Sequence, residues 1–88
     1  MKLKYELTFV EIADEIAAVP VGDGAEEFHG IIKCNDSMKE MLELLAEETT
    51  EAQVTAGMLG IYPDVAREDM EGYVRTACAT LREKGLLA

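Results

Sequence analysis

The chain has no tryptophan, one histidine, two cysteines, two prolines and eight basic residues among its 88, and each shortage removes a class of function. His29, Cys34 and Cys78 are too few soft ligands, set too far apart, to close a zinc or iron–sulfur site, so no cofactor is expected. With no CxxC pair, the two thiols read as reduced and mostly buried, as in a cytosolic protein. Eight Lys and Arg against 18 Asp and Glu give a formal charge of −10, which repels bulk polyanions such as DNA. No stretch approaches the ~18 to 20 apolar residues of a membrane span. Lys2, Lys4 and Glu6 break up the N-terminal residues, so a soluble, unexported, cytoplasmic chain without a membrane partner is expected. There is no glycine-rich phosphate loop and no nucleophile beside a base. His29 has nothing to activate, and acids adjacent on a helix, such as Glu47 and Glu48, do not face each other. An enzyme is not expected.

What remains is an ordinary globular balance, 49% apolar and 30% charged, in a length that makes one domain. Leu3, Tyr5, Leu7 and Phe9 alternate with Lys4, Glu6, Thr8 and Val10, the period of a strand with one wet face. Ala13, Asp14 and Glu15 offer a tight reversal. A second strand follows over residues 16 to 21, where Pro20 suggests an edge or a strand end. Gly22-Asp23-Gly24 is a turn signal, and a third strand over residues 28 to 34 carries Phe28, Ile31 and Ile32. A three-stranded antiparallel meander is predicted.

From Asp36 the period becomes helical. Met38, Met41, Leu42 and Leu45 form one stripe of a first helix over residues 36 to 48, with Asn35, Asp36 or Ser37 as cap. Thr50 with Gln53 reads as a capping box opening a second helix, in which Val54, Met58 and Ile61 are apolar; Gly57 and Gly60 weaken it and Pro63 ends it. A third helix over residues 67 to 84 buries Met70, Tyr73, Val74, Ala77, Cys78 and Leu81. Gly85 caps it, and Leu86-Leu87 fold back. The fold class is therefore α+β, a winged helix-turn-helix in which a three-stranded antiparallel sheet precedes three helices in one domain spanning residues 1 to 88.

Asn35 after the third strand, Leu44-Leu45, Thr50 and Val54, Leu59 and Tyr62, then Val74, Leu81 and Gly85-Leu86-Leu87 fall in a pattern that resembles the PqqD-like family, the small peptide-binding modules also called RiPP recognition elements. The chain departs from that pattern at Cys34, where a leucine usually precedes the asparagine, and at Gly57 and Gly60. The resemblance implies a non-catalytic partner that binds the leader of a ribosomally made precursor peptide as a strand added to the third strand, over a groove shared with the third helix. It also implies a modifying enzyme, a radical SAM maturase or another, that acts on the core. Such strand addition draws affinity from unpaired backbone groups and selectivity from alternate side chains.

On this chain the peptide-binding residues would be Phe28, His29, Gly30, Ile31, Ile32 and Lys33 on the edge, with Met70, Tyr73, Val74 and Ala77 as the far wall and Arg75 pairing with an acidic leader residue. Alternation puts Phe28, Gly30 and Ile32 on one face and His29, Ile31 and Lys33 on the other, and either could meet the peptide. The edge also permits a homodimer as well as a monomer. The alternative is a winged-helix DNA-binding transcriptional regulator. Residues 50 to 64 hold no Lys or Arg, however, and phosphate contacts need several. From Arg67 to Lys84 four bases (Arg67, Arg75, Arg82, Lys84) match four acids (Glu68, Asp69, Glu71, Glu83), so the whole acidic surplus lies upstream, where it solubilises the surface or favours a basic partner.

Overall fold

Ile12 and Glu15 face each other across a two-residue reversal, and Ala13 enters it with φ of 55°, the left-handed region a hairpin loop of this length needs. This reversal joins β1 (Glu6–Ile12) to β2 (Glu15–Val21), and β3 (Ile32–Cys34) pairs with the other side of β2. The sheet is an antiparallel meander in the order β1-β2-β3. The helices α1 (Asp36–Leu44), α2 (Glu51–Ile61) and α3 (Arg67–Glu83) follow it, giving the expected α+β order. The computed structural model describes residues 1–22, 24–25 and 31–87. Among them no helix is long and apolar enough to cross a membrane.

The period-two pattern of β1 is real: Leu7 and Phe9 pack against the core while Glu6, Thr8 and Val10 are exposed. Pro20 lies opposite Leu7 near the end of β2, beyond the last described β3 partner, where Ala18 faces Ile32. A proline is tolerated there because no described ladder bond to β3 needs its missing N–H. The core joins Ala18 of the sheet to Met41, Leu42 and Leu45, to Val54 and Met58, and to Met70, Val74, Ala77, Cys78 and Leu81.

Local caps explain where the helices start. The Asn35 side chain accepts from the Met38 N–H at 2.8 Å, and Thr50 and Gln53 complete a reciprocal capping box. Gly85, at φ of 79°, closes α3: the Leu86 N–H donates to Leu81 O at 2.9 Å and the Gly85 N–H to Arg82 O at 3.1 Å, the paired bonds of a Schellman end. Leu86 and Leu87 are then fully buried, and Leu87 bridges Leu3.

Two boundaries and one burial differ from the sequence expectation. Leu3 pairs with the C-terminal Leu87 rather than extending β1, which starts at Glu6. The first helix stops at Leu44, not near residue 48, because the Leu45 carbonyl accepts the Leu3 N–H at 3.0 Å and Thr49 N–H donates to Met1 O at 2.9 Å, so the N-terminal segment takes up the backbone groups of the α1–α2 connection. Ile61, placed on the apolar stripe of α2, is 45% exposed. The expected strand residues Phe28, His29 and Gly30 lie outside the described residues, and Ile31 immediately precedes β3.

Candidate functional site

β3 is an edge strand. Its one described partner is β2, and among the described residues no strand pairs with its other side, so backbone groups there are open to an added chain. Ile32 and Cys34 turn toward the core and Lys33 away from it, with Ile31 66% exposed, so alternation leaves Ile31 and Lys33 on the wet face. Cys34 and Cys78 are both free thiols, and burial pushes each above its ordinary value, so neither is an activated nucleophile.

β3 runs straight into α1. Three residues after Cys34, Ser37 stands at one wall of a groove of about 320 Å³ where the start of α1, the end of α2 and the start of α3 meet. Its floor is apolar, from Met58, Tyr62, Val65, Met70 and Tyr73, with Ser37 and Asp69 as the polar positions. The Ser37 and Tyr73 hydroxyls share a hydrogen bond of 3.1 Å that ties α1 to α3. One helical turn beyond Ser37, the Glu40 carboxylate holds the Tyr62 hydroxyl. That contact, with partial burial and the nearby charges of Glu40 and Asp36, pushes the Tyr62 phenol up to about 12. The other carboxylate oxygen of Glu40, Oε2, is buried and has no hydrogen-bond donor. Among the described residues no group of three His, Cys, Asp or Glu side chains could hold a metal ion.

The expected far wall is only partly on this groove. Met70, 4% exposed, contributes to both core and floor, and Tyr73 lines the groove directly. Val74 and Ala77 are buried in the core, where they pack the helix rather than present a surface. Arg75 follows Tyr73 by two residues, about 200° around a helix, and sits on the opposite face with Glu51, Thr55, Arg67 and Glu71. The sequence reading assigned no site role to Ser37, Glu40, Met58, Tyr62, Val65 or Asp69. The available signal was Ser37 with Glu40 on one helical face and an aromatic, Tyr62, immediately before the helix-ending Pro63.

A larger hollow of about 720 Å³ lies between β1 and α1, over Leu7, Phe9 and Leu42. Its rim alternates Lys2 and Lys4 with Glu6, Glu43 and Glu47, so its charges offset one another and it lies away from the free edge of β3.

Neither a curated relative nor a solved structure matches the chain. The family described as coenzyme PQQ synthesis protein D (PqqD) matches over residues 22–87, from the end of β2 through the whole helical half and the Leu86-Leu87 closure. That stretch spans three quarters of the chain and includes β3, the groove and its three helices, and on it the chain belongs to the PqqD family.

Proposed function

We propose that the chain is a non-catalytic carrier that binds the leader of a ribosomally synthesised precursor peptide as a strand added to the outer edge of β3, and presents the core to a modifying enzyme of the radical SAM class. Membership of the PqqD family supports a precursor-peptide-binding partner in general. The observation that carries the binding mode is the free edge of β3 leading, three residues later, into an apolar three-helix groove. An occupant of that edge reaches Ser37 within about 10 Å of extended chain. Backbone pairing with β3 would then supply affinity, and the groove of Met58, Tyr62, Met70 and Tyr73 would take the side chain that sets selectivity. Regulation of transcription is the weaker reading, because α2, Glu51–Ile61, carries an acid and no base to meet phosphate.

The test needs a precursor peptide, sought as a short open reading frame near the gene, and takes its leader as ligand. Ile31→Pro removes a backbone donor next to β3 and distorts the edge. Calorimetry is expected to show at least a roughly tenfold loss of affinity while circular dichroism keeps the helical signal. Unchanged binding by Ile31→Pro, or amide shifts confined to the β1–α1 hollow, would refute the edge as the site.

A further inference from the structure

We infer that the groove beside β3 selects a lysine or arginine side chain of the bound peptide. This rests on the reading of the groove as a leader-binding site and names the chemistry of its occupant.

The charges around the groove decide the sign. Asp69 lines it, Glu40 stands behind Tyr62, and Asp36 acts on the same hydroxyl. Glu40 Oε2 is buried without a hydrogen-bond donor, so this half of the carboxylate is unpaired. The helix ends modify this balance without reversing it. The starts of α1 and α3 each contribute about half a positive charge, whereas the end of α2, which has no base in its last turn, contributes about half a negative one. Three carboxylates therefore outweigh the dipoles by a wide margin.

Among the described residues neither Lys nor Arg lines the groove; Arg67 pairs with Glu71 at 3.9 Å, and Lys39 lies over the Phe9 ring at 5.8 Å on the sheet side. A metal ion would need clustered ligands, and among the described residues no three His, Cys, Asp or Glu side chains come together to hold one. A long side chain with a cationic head suits the site better. Its methylenes can lie over Met58 and Met70, its charge can reach Asp69, and the Tyr62 and Tyr73 rings add a favourable face. An acidic side chain would be repelled there, and Arg75, the residue expected to greet one, faces the other side of α3.

The test uses three small probes titrated into the isotope-labelled chain and followed by amide shifts: the Nα-acetyl methylamides of arginine, norleucine and glutamate. The arginine probe is expected to shift Ser37, Tyr62, Asp69 and Tyr73 and to bind roughly tenfold more tightly than the norleucine probe, with the glutamate probe weakest. Asp69→Asn and Glu40→Gln should each erode the arginine preference while the rest of the spectrum stays in place. Equal affinity for arginine and norleucine, preference for glutamate, or no shift with any probe would overturn the inference. These probes are too short to add a strand, so the two readings fail separately. A leader that pairs with β3 while the arginine probe leaves the groove unmoved defeats only the side-chain preference. An arginine-binding groove in a chain whose β3 takes no leader defeats only the peptide-carrier function.

Discussion

Two glycines of α2, three residues apart, should respond in opposite directions to the same substitution. At Gly60 a Cβ would meet nothing within 4 Å, and its backbone is ordinary helix. Gly60→Ala should therefore stabilise the chain by about 0.5 to 1 kcal/mol, the helix-propensity gain. At Gly57 the same gain is available, but a Cβ would stand 3.0 Å from Leu44 Cδ1 and 3.2 Å from Cδ2. Overpacking of that kind costs about 1 to 3 kcal/mol, and Leu44, half-buried between the two helices, must give by a few tenths of an ångström to admit the methyl. Gly57→Ala should then destabilise on balance, and should recover the propensity gain in a Leu44→Ala background where the obstacle is gone. Urea unfolding with an unchanged slope is the assay. The groove supplies a second readout, since Leu44 is one turn from Glu40 and Gly57 adjoins Met58. Parting α1 from α2 should lower the titration of Tyr62 from about 12 toward its ordinary 10.0. If Gly57→Ala stabilises as much as Gly60→Ala with Leu44 present, the close packing of α1 on α2 is not as described.

Leu86→Ala should cost about 3 kcal/mol, since it empties a fully buried position, and so remove a large part of the 5 to 10 kcal/mol expected of a domain this size; a loss below about 1 kcal/mol in urea would contradict the buried closure. The Tyr62 contact with Glu40 raises the phenol, so its contribution is complete below pH 10.0 and is lost as pH rises toward about 12; a difference titration of the wild type against Tyr62→Phe that centres near 10.0 would refute the pairing. Cys78, buried with its thiol raised above the ordinary 9.0, stays protonated while the unfolded thiol ionises, so native stability should fall as pH passes 9.0, and a thiol reagent should modify the half-buried Cys34 first. Equal labelling rates for the two cysteines would show that Cys78 is not sealed in the core.

Features set by neighbours along the chain were legible in the residues: the Thr50–Gln53 box, a cap of the first helix at Asn35 or one of the two residues after it, the Gly85 end and the alternation of Leu7 and Phe9. Their physics is local, acting over three or four residues. What was not legible depends on distant partners. Leu3 continues the alternation of β1 perfectly well but is taken by Leu87, and its N–H claims the carbonyl that would have extended α1. The groove is of the same kind, since the Ser37–Tyr73 bond joins positions 36 residues apart and no periodicity links them. Arg75 is different, because its displacement from Tyr73 follows from helical geometry alone.

The acids of the chain then divide into two separable sets. At physiological salt, fields from exposed charges fade over about 8 Å, so most of the net −10 can steer a basic peptide toward the chain but cannot act on a side chain already in place. Asp69 lines the apolar groove, Asp36 and Glu40 act on the Tyr62 hydroxyl at its side, and Glu40 Oε2 is buried, so these acids are screened less than the exposed ones. Added salt should therefore slow the encounter while leaving most of the preference for a cationic side chain in the groove. The acids of β1 and the hairpin serve the first role, and the three at the meeting of the helices serve the second.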